Sequence, residues 1–162
     1  AGEDRARTAP SAFRQHRTFK GNRYMTNEEA MQIISPLYDA LNHPGSKDVA
    51  ALANQVLAER WRSFNSNSTN KTREEFVAQV IGFGKLIPDL SWRIDEVLVA
   101  GDRVIVRSEL SGTPVGAFMG VHPSGHKFTA MAIDIHTISD GKIDITFHVE
   151  DWASAIRQLS AK

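Results

Sequence analysis

The stretch GKIDITFHVEDW, Gly141 to Trp152, places Asp144, Thr146, His148 and Glu150 at every second position. The preceding run, FTAMAIDIHTI, gives Asp134 and His136 the same spacing. Alternation of this kind puts residues on one face of a strand. A histidine beside a carboxylate is acid/base chemistry: imidazole titrates near pKa 6.5, and a neighbouring carboxylate fixes its tautomer and favours its cation. His148 and Asp134 are the candidate catalytic pair. The same pattern also describes an outer sheet face, with the apolar odd positions Met131, Ile133, Ile135, Ile143, Ile145, Phe147 and Val149 turned toward helices. The residues alone leave both readings open.

Whether the pair meets depends on the hairpin that joins the two runs. For their apolar sides to coincide, partner numbers must sum to an even value, which a two-residue Asp-Gly turn alone does not give. A three-residue loop from Ser139 to Gly141, with Gly141 left-handed at a bulge, does. That register sets Asp134 opposite Thr146 and Ala132 opposite His148, leaving Asp134 and His148 as diagonal neighbours about 7–8 Å apart at the backbone.

Earlier elements must supply the rest of the enclosure. Thr26 with Glu29 has the spacing of a capping box, and Ile33, Ile34, Leu37, Tyr38 and Leu41 follow at helical intervals until His43-Pro44-Gly45. A second helix is expected from about Lys47 through Val49, Leu52, Val56 and Leu57, with Trp61 and Phe64 continuing its apolar side. NSNSTN then breaks the chain. Thr72 and Glu75 open a third helix with the stripe Phe76, Val77, Val80, Ile81 and Phe83, and Pro88 closes it. From Leu90 the period becomes strand-like: LSWRIDEVLVA, a Gly101-Asp102 turn and RVIVRSELSG make a hairpin. A loop, TPVGAFMGVHPSGHK, leads into the last hairpin, and a helix from Trp152 to Leu159 follows. Helices followed by hairpin-connected strands imply an α+β fold.

The composition narrows the function. With 162 residues and 41% apolar content the chain has the size of one domain. Basic and acidic residues number 19 each, so no global field points to nucleic acid or a membrane surface. There is no cysteine, and therefore neither a disulfide nor a thiolate metal site. Residues 1–24 carry six basic groups against Glu3 and Asp4 and read as a basic N-terminal extension; 25–162 read as the folded domain. The chain is expected to be soluble and cytoplasmic, or periplasmic or secreted if Ala1 is a processed N-terminus. His122 and His126 flank a turn without further clustered ligands, so no metal site is expected.

The order of motifs from Phe118 to Leu159 (Phe-x-Gly, Pro-Ser-Gly, Ile-Asp-Ile, Gly-Lys-Ile and a closing Gln-Leu) resembles that of SnoaL-like polyketide cyclases and related ester cyclases. IPDLSWRIDEVLVAGDRVIVR resembles the preceding segment of that family, and the likeness runs from about Met25 to Lys162. It implies a cone-shaped, cystatin-like α+β barrel of the nuclear transport factor type, with N-terminal helices packed in a strongly bent, mostly antiparallel sheet. The implied activity is intramolecular aldol ring closure of a hydrophobic keto ester, with no cofactor. Such cyclases carry an acid/base aspartate three places before a second aspartate; counting back from Asp151, that place holds His148. They also tend to carry a histidine at the place of Asp134, so the two residue types appear exchanged.

On this reading the pocket walls and substrate contacts are Tyr38, Trp61, Phe64, Phe76, Phe118, Met119, Phe128, His136 and Glu150, with Asn65 as a polar anchor. The expected partner is a hydrophobic small molecule. Pairing through the sheet face into a homodimer or higher homo-oligomer is implied by the resemblance, and neither nucleic acid nor membrane is expected. Two rivals remain: an epoxide hydrolase on the same scaffold, with Arg107 and Glu109 as its loose match, and a non-catalytic carrier of a hydrophobic molecule.

Overall fold

The structure is a computed structural model and describes residues 24–161. All but the last residue of the basic N-terminal extension therefore lies outside the described residues. Helix α1 (Asn27–Leu41) begins as expected: the Thr26 hydroxyl accepts from Glu29 N–H, and the Glu29 carboxylate accepts from Thr26 N–H. Its buried stripe is Ala30, Ile34, Leu37, Tyr38 and Leu41. Helix α3 (Arg73–Leu86) starts with the same device at Thr72 and Glu75, although Ile81, expected in its buried stripe, is exposed. Helix α4 (Trp152–Leu159) closes the chain as expected, capped by Asp151.

One expected helix is shorter than its apolar pattern. Helix α2 (Val49–Val56) stops at Val56, and Leu57–Phe64 is strand β1. Trp61 and Phe64 therefore belong to a strand rather than to the helix. The reason is tertiary: β1 pairs in parallel with the last strand of the chain, a partner far away in sequence. A short strand β2 (Asn70–Thr72) pairs antiparallel with β1.

The remaining strands are β3 (Ser91–Ala100), β4 (Arg103–Gly112), β5 (Phe128–Ser139) and β6 (Lys142–Glu150). They complete a six-stranded sheet in the order β2-β1-β6-β5-β4-β3, antiparallel except between β1 and β6. The fold is α+β, with the helices against one face. Asn42, which ends α1, ties that helix to the sheet: its amide donates to Trp92 O and its side-chain oxygen accepts from Trp92 N–H.

The inner face holds the core. On β4 it presents Val104, Val106 and Leu110, and on β5 Phe128, Ala130, Ala132 and Ile138, all buried. The register shifts on β3 at Asp95, on β6 at Asp144 and on β1 between Leu57 and Arg62. The shift at Asp144 is gripped from β1, where the Arg60 guanidinium donates to both Asp144 carboxylate oxygens at 2.9 and 3.2 Å.

Candidate active site

The last hairpin differs from its expected register in an instructive way. Its turn has two residues, Asp140 and Gly141, both left-handed, with Ser139 paired to Lys142. The extra residue that restores parity is Asp144, inside β6 rather than at the turn. Partner numbers still sum to an even value, but one two higher than expected. Asp134 therefore lies directly opposite His148, His136 opposite Thr146 and Ala132 opposite Glu150. The diagonal arrangement is corrected to a direct pair.

The choice of faces is also settled. Met131, Ile133, Ile135, Phe147 and Val149 are exposed, while Asp134, His136 and Thr146 are buried and His148 and Glu150 half-buried. The polar side is the inner one, so the outer-face reading of these residues is overturned. Ile143 precedes the bulge and is fully buried, so it does not share a side with Phe147 and Val149.

A continuous chain of hydrogen bonds runs along this polar face. Trp61 Nε1 lies 3.0 Å from Thr146 Oγ1, which lies 3.0 Å from His136 Nδ1. His136 Nε2 is 3.1 Å from Tyr38 Oη, and Tyr38 donates to Asp134 Oδ2 at 2.8 Å. His148 Nδ1 meets Asp134 Oδ1 at 2.6 Å and His148 Nε2 meets Glu150 Oε1 at 2.9 Å. Trp152 Nε1 donates to Glu150 Oε2 at 2.7 Å. His148 is thus held between two carboxylates, one on each ring nitrogen. The Trp92 ring packs beside it, with centroids 6.2 Å apart.

Exposure grades along the triad. The side chain of Asp134 is 7% exposed, Glu150 14% and His148 19%. Burial alone would lower the pKa of His148, but the hydrogen bonds to Asp134 and Glu150 and their charges outweigh it and hold the imidazolium up to about 10. Burial would raise the Asp134 pKa, yet the hydrogen bond and charge of His148, together with the Tyr38 hydroxyl, keep it below the usual carboxylate value. Burial pushes His136 the other way, toward its neutral form, against the pull of Asp134. Tyr38 stays a phenol, its pKa raised by burial and then by the charge of Asp134. The environment therefore favours the imidazolium at His148, between Asp134 and Glu150, and the neutral ring at His136 behind them.

The other expected residues divide. Tyr38 and Glu150 join the pair directly, and His136 joins it through Tyr38. Trp61 reaches His136 through Thr146, and Phe76 packs edge-on against Trp61 at 5.3 Å. Phe118 and Phe128 stack at 5.9 Å beside Trp152, which places them next to Glu150 through the indole. Three are elsewhere: Phe64 stacks on the outward Phe147 at 5.5 Å, Asn65 accepts from Thr69 in an exposed turn, and Met119 is exposed at a left-handed turn position. Arg107 and Glu109 lie on the face opposite Asp134, where Arg107 pairs with Asp95 and Glu96, and Glu109 with Arg93. They do not flank the site. A shallow recess lined by residues that include Phe118, His122 and Leu159 contains none of the charged cluster. Among the described residues no group of three or more His, Cys, Asp or Glu is arranged to hold a metal ion, and no helix is long and apolar enough to cross a membrane.

Sequence reasoning missed the donors. Thr146 stands in the same alternating run, two places from His148, and Trp152 two places beyond Glu150; both were legible as neighbours. Trp92 carried no local signal.

The order of motifs anticipated an α+β fold with helices packed against a mostly antiparallel sheet, and the observed architecture agrees with it. The family of SnoaL-like polyketide cyclases matches residues 37–159. The chain belongs to that family. Among solved structures, TsrD from Streptomyces laurentii is 25% identical with a TM-score of 0.73, the match covering 85% of this chain and 99% of that one. A putative SnoaL-like polyketide cyclase from Jannaschia sp. CCS1 is 22% identical with a TM-score of 0.72, covering 88% and 99%. An LEH-like epoxide hydrolase of M. tuberculosis shares the fold at 10% identity and a TM-score of 0.61, covering 82% and 90%. A comparison with curated proteins finds no match.

Proposed function

We propose that this SnoaL-like protein is a cofactor-independent cyclase that closes a ring in a hydrophobic keto ester by acid/base catalysis at His148. The observation that carries the reading is the Asp134–His148–Glu150 triad, in which a histidine charged at neutral pH is the most exposed member of a buried polar line. A group that rests protonated is an acid, so His148 supplies the proton rather than taking it. Asp134, the less exposed of the two carboxylates, orients and charges the ring. Glu150 is left as the base.

The steps balance without any added group. The carbonyl under attack accepts the His148 Nε2–H in place of Glu150. The released Glu150 carboxylate takes a proton alpha to the ester carbonyl, and the resulting carbanion bonds to the polarised carbonyl carbon. The new alkoxide takes the proton of Nε2, and protonated Glu150 returns its own to His148. Acid/base groups of this kind contribute about 10²–10⁴-fold, and holding the substrate folded must supply the rest. The aromatic side chains of Trp92, Phe118, Phe128 and Trp152 near the triad favour an apolar substrate.

Ring closure of aromatic keto esters, followed by chromatography in the parent, His148→Ala and Glu150→Gln, tests the assignment. Loss of turnover in both variants with retained folding supports it; turnover equal to the parent in either removes that residue from the mechanism.

A second proposal concerns the partner. Met131, Ile133, Ile135, Phe147, Val149 and Leu98 are all exposed on the outer face, a contiguous apolar surface of a kind monomers rarely leave open. We propose that two copies pair through it. The Arg93, Asp95, Glu96, Arg107 and Glu109 ion pairs on β3 and β4 give that surface a polar border.

A further inference from the structure

We propose that His136 is a positioning residue: its Nε2–H donates to Tyr38 Oη and thereby keeps the Tyr38 hydroxyl aimed at Asp134, on the side of the carboxylate away from His148. The assignment follows from counting protons along the chain. Asp134, as a carboxylate, only accepts, so the 2.8 Å contact to Tyr38 uses the phenol proton. The Tyr38 oxygen then has only lone pairs to offer the ring nitrogen 3.1 Å away, and His136 Nε2 must be the donor. At the other end Trp61 Nε1 can only donate, so Thr146 Oγ1 accepts from it and sends its own proton to His136 Nδ1 at 3.0 Å. Every donor finds an acceptor with His136 neutral and protonated on Nε2 alone.

A second proton on Nδ1 would leave the Thr146 hydroxyl without this acceptor and add a cation to a site where His136 is fully buried. Tyr38 from α1, Trp61 from β1, Asp134 from its own strand and Thr146 and His148 from β6 are the groups that face it. None is a second carboxylate able to offset that charge. His136 therefore never meets substrate, although its spacing makes it look like a ligand contact. It acts through Tyr38, which shares the Asp134 charge and so limits how strongly that carboxylate holds the His148 proton.

This role rests on the Asp134–His148 pair being the working site, and its test reads ring protonation rather than turnover, so failure of the ring-closure chemistry leaves it standing. Long-range ¹H–¹⁵N spectra of the full chain between pH 5 and 9 should show His136 with a proton on Nε2 and a bare Nδ1 throughout. His136→Leu and Tyr38→Phe should each raise the His148 titration midpoint by about half a pH unit or more, because Asp134 loses a competing donor. The double variant should move it no further than Tyr38→Phe alone, and His136→Gln, which keeps a donor and an acceptor, should restore part of the parent value. If His136→Leu does not fold, Thr146→Val removes the partner of Nδ1, and His136 should keep its proton on Nε2 because the Tyr38 oxygen still requires a donor. A parent His136 protonated on Nδ1, singly or doubly, overturns the assignment. So does a His148 midpoint that His136→Leu or Tyr38→Phe leaves unmoved, or, where only Thr146→Val can be read, a His136 proton found on Nδ1.

Discussion

Replacing Asp134 by Asn keeps the shape of the side chain and removes its charge, and the consequence for His148 can be worked from the contacts. A rise from the ordinary 6.5 to about 10 is a preference for the imidazolium of about 5 kcal/mol. Burial works against that preference, so the two carboxylates together supply more. Of these, Asp134 makes the shorter contact, 2.6 Å against 2.9 Å for Glu150, and it is the more deeply buried partner. In the Asn variant the amide must present either its NH2 to His148 Nδ1, which then has to be bare, or its oxygen, which leaves Tyr38 facing a donor. Either arrangement drops the His148 pKa by about two pH units or more. Imidazole carbon and nitrogen shifts followed by NMR give the value directly. A His148 midpoint within about half a unit of the parent would refute the placement of Asp134 as the group that charges the ring.

The same pair fixes how stability depends on pH. The folded His148 pKa lies above the unfolded value, so its stabilisation is complete below about 6.5 and is lost as pH climbs from there toward about 10. The folded Asp134 pKa lies below 3.8, so its stabilisation is present above that value and is lost as pH falls through the folded pKa. Burial holds His136 toward its neutral form, so stability also falls as pH drops below about 6.5; denaturant midpoints should be highest near pH 6.5, and Asp134→Asn should flatten the alkaline fall.

Other consequences are simpler to read. If His148 is the acid, turnover should persist through neutral pH and decline toward about pH 10, and a profile falling through 6.5 would contradict it. Gly84→Ala places a Cβ 2.6 Å from the Gly45 backbone nitrogen, where no flexible side chain can give way. A loss of about 2 kcal/mol or more in thermal unfolding is expected, and a neutral result would mean that the contact between α3 and the Pro44–Ser46 turn is looser than this. On the outer face, Ile133→Lys should convert a dimer to a monomer by light scattering without altering the His148 pKa; a parent already monomeric would remove the pairing proposal.

How much of this was written locally in the chain differs from element to element. The capping boxes at Thr26 and Thr72 and the helix at Trp152 rest on neighbours three or four residues apart, and the sequence shows them directly. β1 was hidden because Leu57 to Phe64 continues the apolar side of α2, and only the distant β6 makes it a strand. The alternation of polar and apolar residues on β5 and β6 was equally plain, but alternation has no sign. It says that Asp134 and His148 share a side without saying which side is inside.

The sign was in fact encoded one strand earlier. In RVIVRSELSG the odd positions include Arg103, Arg107 and Glu109, and the even positions Val104, Val106 and Leu110, which are fully buried. That strand declares its own inner face. β4 and β5 pair with Val104 opposite His136 and Val106 opposite Asp134, so the even residues of β5 inherit the inside. What local pattern could not supply is this register, because the loop of residues 113–127 between the two strands leaves its parity undetermined. The general preference for apolar residues inside then pointed the wrong way at the one place where the interior is polar. The cost of burying Asp134, His136 and Thr146 is met by the chain of donors from Trp61 to Trp152, each satisfied by the next. An interior that breaks the apolar rule and still leaves none of these groups unpaired is where acid/base chemistry is most economically placed.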